Sequence, residues 1–218
     1  DLEACGLNFA KRLIIDEKVG IVLPLHQTLD DNNEAQLKAA KIGTTRRGIG
    51  PAYADMTARS GIRLGDLAHP AYLKQRLREL YLYHGLSSHK DAIQQDYAQL
   101  REAWKSLQQY TASVENILHE ARISGANILF EGAQGSLLDR IWGSYPYVTS
   151  SNTIVDAIGI GSGFSARLLD EVLGVFKAYA TRVGEGPFPT QIEGPLADKI
   201  RQQGHEFGAT TGRPRRIG

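Results

Sequence analysis

The stretch 204–216, GHEFGATTGRPRR, sets a pair of threonines between glycines and follows them with three arginines. Gly208 and Gly212 let the backbone turn and bring its N–H groups close, while Thr210 and Thr211 offer hydroxyls. Arg213, Arg215 and Arg216 supply planar forks that match carboxylate or phosphate, and Pro214 fixes the path between two of them. A second loop, 41–53 (KIGTTRRGIGPAY), repeats the chemistry with Gly43, Thr44, Thr45, Arg46 and Arg47 ahead of a Gly-x-Gly-Pro turn. A single arginine cluster is equally a solvated basic turn. Two loops of this composition point to one polyanionic ligand facing both.

Weaker signals lie between them. Glu131 and Gln134 sit in EGAQGS, where a glutamine amide can donate and accept at once and so read a purine edge. Thr149, Ser150, Ser151 and Asn152 form a hydroxyl-rich run suited to phosphate or ribose, with turn capping as the alternative. Residues 161–166 satisfy GxGxxA, but the acidic residue that a dinucleotide site needs downstream is unconvincing, because Glu185 lies in a Gly-Pro loop; a close-packed turn is the better reading. No GxxxxGK[ST] occurs, so this chain has no phosphate loop of that kind.

The elements that must hold these loops are read from periodicity. Runs 12–16 and 20–25 are short, apolar and β-branched, and are expected to be extended; 30–42 is a polar helical stretch leading into the first loop. From Pro70, where a helix can begin, Leu73, Leu77 and Leu80 share one face and Gly85 stands where the helix would stop. Ile93, Tyr97, Leu100, Trp104, Leu107, Val114 and Leu118 continue the helical spacing, giving a helical subdomain at about 70–123. Its aromatic residues are read as core, and His84, His89 and His119 as surface or capping residues. Beyond it, 127–130 is expected to be a strand ending in EGAQGS, 164–171 an amphipathic helix and 172–180 a second, buried strand. Strand, loop, helix and strand argue an α/β fold with a largely parallel sheet beside the helical subdomain, its ligand at the carboxyl ends of the strands.

Bulk properties narrow the function. The 218 residues are 42% hydrophobic with a net charge of +1, lacking the basic field of a nonspecific nucleic-acid binder. Cys5 is the only cysteine, which leaves no internal disulfide and no cysteine-based zinc site and fits a reducing, cytoplasmic setting. The apolar runs fall short of the roughly 20 residues that span a bilayer. The chain opens on Asp1 rather than methionine and closes just past the arginine cluster, so it reads as a piece of something longer.

In order, six blocks resemble the adenylosuccinate synthetase family. IGTTxRGIGPAY is met at 42–53, RxGIRxxDL at 59–67, FEGAQGxLLD at 130–139, YPYVTSSN at 145–152, KAYxTRVGxGPFPT at 177–190 and EFGATTGRPRR at 206–216. The resemblance covers residues 1–218 as the central part of one domain of a family member. It implies ligation of L-aspartate to IMP at the expense of GTP, through a 6-phosphoryl intermediate, with Mg2+ bridging phosphates, in a cytoplasmic homodimer of AMP biosynthesis. It implies that Thr45, Gln134, Thr149 and Arg213 bind IMP and that Arg59 reaches the IMP phosphate of the other subunit. Aspartate would be held by Arg47 and by Ala209, Thr210, Thr211, Gly212, Arg213, Pro214 and Arg215, with Arg215 also near GTP. Arg216, just past the substrate loop, is expected to tolerate lysine far better than Arg213 if its role is only to shape the local field. The family's amino-terminal phosphate-loop region, with its metal ligands and acid/base residues, and its carboxy-terminal guanine-binding region are not in this sequence, so the 218-residue chain by itself is expected to be inactive. Ile141, Trp142, Asp156 and Ala157 depart from the family pattern near Thr149. Two other readings are a noncatalytic nucleotide-binding or dimerisation fragment, and a relative acting on another purine nucleotide.

Overall fold

The computed structural model describes residues 4–9, 11–38, 42–208 and 212–218. Lys41 of the first loop and Ala209, Thr210 and Thr211 of the second lie outside the described residues. The helices are α1 (Pro24–Leu37), α2 (Ile49–Ala58), α3 (Pro70–Tyr83), α4 (Lys90–Leu107), α5 (Val114–Ile123), α6 (Ala157–Ser162) and α7 (Pro195–Gln203); the strands are β1 (Ile15–Asp16), β2 (Thr111–Ala112), β3 (Thr181–Arg182) and β4 (Arg216–Ile217). The mixed α/β class stands. Among the described residues its sheet is small: β1 pairs in parallel with β2, and β3 pairs antiparallel with β4. The chain divides into two compact units, one built from Asp1–Pro24, Pro51–Phe130 and Gly159–Phe164, the other from Leu25–Gly50, Glu131–Ile158 and Ser165–Gly218.

In the first unit, Leu73, Leu77 and Leu80 of α3 are fully buried together with Ile62, Leu64 and Leu67, as their spacing requires. Each such side chain contributes about 1.5–3 kcal/mol by leaving water. Pro70 opens α3, and Gly85 closes it in the left-handed conformation, with Leu86 N–H donating to the Tyr81 carbonyl at 2.7 Å. The expected continuous stripe from Ile93 to Leu118 is two helices. A 3-10 turn (Gln108–Tyr110) and β2 interrupt it, and the seven-residue step from Leu107 to Val114 keeps the period across the break. The Asp16 carboxylate accepts the Val114 N–H at 2.9 Å and thereby seats the start of α5. His84 is more than a capping residue: its Nε2 lies 2.9 Å from the carboxylate of buried Asp55, which also accepts the Ser60 hydroxyl at 2.8 Å. Residues 161–166 form no dinucleotide turn. Helix α6 precedes Gly163, and a side chain at Gly163 would press on Glu115.

Several expected strands are absent because pairing, not apolarity, makes a strand. The 20–25 run keeps one antiparallel bridge, Gly20 to Arg63, before Pro24 starts α1. The 12–16 run shortens to β1. Residues 127–130 are irregular, and 164–171 holds only the short turn Ala166–Leu168. In the 172–180 run, Val175 and Phe176 are 96% and 92% exposed, and the ladder is reached at the last residue, where Ala180 exchanges backbone hydrogen bonds with Gly218 next to the β3–β4 pair. Among the described residues no strand lies beside 172–179. No helix is long and apolar enough to cross a membrane among the described residues.

Candidate functional site

The first loop is seated by two acidic residues of α1. Asp30 and Glu34 are buried one turn apart; the Asp30 carboxylate accepts the Thr44 hydroxyl at 2.9 Å and the Gly48 N–H at 3.0 Å, while Glu34 accepts the N–H groups of Ile42 and Gly43 at 3.2 and 3.0 Å. Burying a carboxylate is tolerated where such donors replace water. The consequence is a division of labour: the loop backbone is turned to the protein, and Thr45, Arg46 and Arg47 are left exposed.

The second loop closes on itself. Gly208 N–H donates to the Arg213 carbonyl at 2.8 Å and Gly212 N–H to the Gly208 carbonyl at 2.7 Å, with Gly212 at φ +63° as the turn requires. The N–H groups of Gly208 and Gly212 are thus committed within the loop. Its stem is the Phe207–Pro214 bridge, backed by Arg215 N–H donating to the Glu206 carbonyl at 2.9 Å. Glu206 is placed by the end of α7, where Gly204 caps, His205 turns left-handed and Glu206 N–H donates to the Arg201 carbonyl. Its side chain is buried and accepts Lys177 Nζ at 2.7 and 2.9 Å, Tyr179 Oη at 2.8 Å and Arg215 NH1 at 2.7 Å.

Burial pushes the Glu206 carboxyl up, but the bonds from Lys177, Tyr179 and Arg215 outweigh it and hold the group down to about 2 from an ordinary 4.5. A carboxylate depressed on folding stabilises the fold above its unfolded value and loses that contribution as pH falls through the folded one. The stability difference between the protein and its Glu206→Gln variant is therefore expected to shrink as pH falls from 4.5 toward about 2, as measured by denaturant unfolding at a series of pH values. A constant difference across that window would contradict it.

The arginines sort by what their donors already hold. Arg182 gives Nε to the Glu185 carbonyl, NH1 to Ser144 Oγ and NH2 to the Tyr147 carbonyl. Arg216 gives Nε to Gln191 at 2.6 Å and NH1 to the Gly186 and Gly184 carbonyls, and its guanidinium covers the Phe188 ring at 5.4 Å. Both are framework residues. The condition on which Arg216 is expected to tolerate lysine, a role limited to the local field, is not met, and an ammonium cannot span that fork of acceptors. Among the described residues, the Arg215 side chain donates through NH1 alone, to Glu206. Arg213 is exposed and extends NH1 and NH2 toward the carbonyls of Gly43 and Thr44 at 3.4 and 3.5 Å, so it joins the two anion loops directly. Pro214, exposed beside it, is half of the stem bridge.

Thr149 is drawn into the same set of loops. Its N–H donates to the Leu138 carbonyl at 2.9 Å, and the neighbouring Ser150 hydroxyl lies 3.3 Å from where a side chain on Gly50 would stand. Buried Asp139 organises this region, accepting N–H groups from Thr153, Ile141 and Trp142 at 2.7–3.0 Å, and those bonds lower its carboxyl below the usual range. The departures at Ile141 and Trp142 therefore leave the anchoring intact, since only their backbones are used and both side chains face solvent. Ala157 begins α6 just after Asp156. Gln134 is exposed at φ +65°, next to Gly135, whose carbonyl accepts the Thr153 hydroxyl at 2.9 Å.

Arg59 belongs to the first unit. It occupies the left-handed position that ends α2 at φ +69°, a place where glycine is the comfortable residue, and Arg76 NH2 holds its carbonyl at 2.8 Å. Its side chain is exposed. The sequence reading missed Asp30, Glu34, Asp139, Arg182, Lys177, Tyr179 and Glu206 as builders of the site. Only the i, i+4 spacing of Asp30 and Glu34 offered a local signal. Among the described residues no group of three or more His, Cys, Asp or Glu side chains is placed to hold a metal ion.

Fold and loops together define an α/β protein whose second unit gathers the threonine- and arginine-bearing loops. The adenylosuccinate synthetase family profile matches residues 1–218, and the chain belongs to that family. Adenylosuccinate synthetase of Hahella chejuensis is 48% identical over 223 residues, covering 100% of this chain and 52% of the relative; that of Teredinibacter turnerae is 49% identical over 224 residues with the same coverage. The structure of fully ligated adenylosuccinate synthetase from Plasmodium falciparum superimposes with a TM-score of 0.90 at 35% identity, covering 99% of this chain and 52% of that one. The chain thus spans about half the length of the curated relatives it matches.

Proposed function

We propose that the full-length protein containing this chain joins L-aspartate to IMP at the expense of GTP, forming adenylosuccinate in the cytoplasm as a homodimer, with Mg2+ bound by residues outside the described ones. The observation that carries this reading is Arg213, on the second anion loop, extending its guanidinium to the carbonyls of the first loop in a chain that matches the family throughout. In this reading Thr45, Gln134, Thr149 and Arg213 bind IMP. Arg47, Gly212, Arg213, Pro214 and Arg215 hold aspartate together with Ala209, Thr210 and Thr211, and Arg215 also lies near GTP. Residues 1–218 form the central part of one domain, with 70–123 as its helical subdomain. Fixed donors facing the phosphate and the two carboxylates would stabilise charge that develops as aspartate displaces the activated oxygen.

The reading is tested across the subunit interface. Arg59→Leu in the full-length protein is expected to weaken IMP binding by about 1.5 to 3 kcal/mol, the loss of a charge-assisted hydrogen bond, and to leave aspartate affinity less affected. Formation of adenylosuccinate by the parent protein from IMP, L-aspartate and GTP is the accompanying control. An unchanged IMP dissociation constant under dimer-forming conditions removes the role of Arg59, and absence of product from the parent removes the function.

A further inference from the structure

We propose that Glu206 is a positioning residue for aspartate binding: its buried carboxylate, braced by Lys177 and Tyr179, fixes the stem of the 207–214 loop and one edge of the Arg215 guanidinium, setting the angle at which the remaining Arg215 donors meet a substrate carboxylate. The inference rests on the reading of this loop as the aspartate site.

Three observations support it. Glu206 is bound to Arg215 twice, through its own carbonyl to the Arg215 N–H and through its carboxylate to NH1, so backbone and side chain of Arg215 are fixed by one residue. The carboxylate is in turn immobile: it is 3% exposed, Lys177 spans both its oxygens while also donating to Thr181 Oγ1, and the end of α7 fixes its backbone. A second-layer carboxylate that orients a binding group in this way acts through geometry rather than contact.

The third observation is the contrast among neighbouring arginines. Arg182 and Arg216 each commit three side-chain hydrogen bonds to protein acceptors, as framework residues do. Arg215 commits NH1 alone, and no described residue accepts its Nε or NH2. One carboxylate against two cations also leaves the cluster with a surplus positive charge, which favours an anion at its open side.

The test is steady-state kinetics of the full-length protein with L-aspartate, IMP and GTP for Glu206→Gln, Glu206→Asp, Arg215→Ala and Tyr179→Phe, each with its Tm. Glu206→Gln is expected to raise KM for aspartate by about 30-fold, the usual consequence of removing one charge from a buried hydrogen-bonded pair, with the IMP constant unmoved. Glu206→Asp, which restores the charge one methylene short, is expected to recover part of the loss. A lower Tm with unmoved aspartate KM in Glu206→Gln would mean a purely structural role and overturn the inference. Should that variant not fold, Tyr179→Phe removes one brace while keeping every charge; a raised aspartate KM supports positioning and an unmoved one overturns it. If Arg215→Ala leaves aspartate KM unmoved, the loop reading itself fails; if Arg215→Ala raises it and Glu206→Gln does not, only the positioning inference falls.

Discussion

Lysine at position 213 is expected to impair kcat/KM for L-aspartate nearly as severely as alanine does, a loss of about 2 to 5 kcal/mol in transition-state stabilisation where a charge pair is desolvated. The reason is shape. Arg213 reaches across two loops with two separate nitrogens, toward the Gly43 and Thr44 carbonyls, and an ammonium offers a point charge where a planar fork is required. Both contacts are long and add little to stability themselves, so the expected loss is read in kcat/KM. Arg216→Lys is expected to behave differently. Its acceptors at Gly184, Gly186 and Gln191 hold the 184–191 loop in place, so lysine should lower Tm and affect kinetics through that loop. Equal, small kinetic losses in both variants would show a diffuse positive patch instead of a clamp at Arg213.

Composition singled out the two loops because glycine, threonine and arginine cluster in both, and Arg213 does reach from one to the other. What seats those loops was not legible in composition. Glu206 stands in the same block as the arginines, yet its partners Lys177 and Tyr179 lie 29 and 27 residues earlier, and no local spacing reveals the meeting. Asp30 and Glu34 read as the polar side of a helix, whereas both are buried under the first loop. The leucine face of α3 was legible because helix periodicity and burial are the same fact seen twice. The strand expectations at 127–130 and 172–180 fared worse, because a strand depends on a neighbour that the run itself does not specify. Arg59 illustrates a further limit: its left-handed backbone is visible only in three dimensions, at a position where the local preference is for glycine.

Gly48→Ala is expected to destabilise the protein by about 2 to 5 kcal/mol, combining roughly 1–2 for a left-handed backbone with roughly 1–3 for overpacking. Gly48 is buried at φ +76°, and a β-carbon there would lie 2.7 Å from the Gln27 nitrogen and the His26 carbonyl carbon, both backbone atoms of α1 that cannot rotate away. Relief requires the loop to lift, and lifting it pulls the Gly48 N–H from the Asp30 carboxylate, leaving a buried acceptor short of a donor. The loop that carries Thr45 and Arg47 would then lose its seat, so binding at the proposed IMP and aspartate sites should weaken along with stability. Gly85→Ala provides the control. That glycine has a similar φ of +71°, but a β-carbon on it would meet nothing within 4 Å, so it isolates the backbone contribution. Urea unfolding of the two variants should therefore show Gly48→Ala as the costlier by the whole packing contribution. Equal losses would mean that the first loop is not held against α1 by close approach, and the division between a seated backbone and a ligand-facing set of side chains would have to be abandoned.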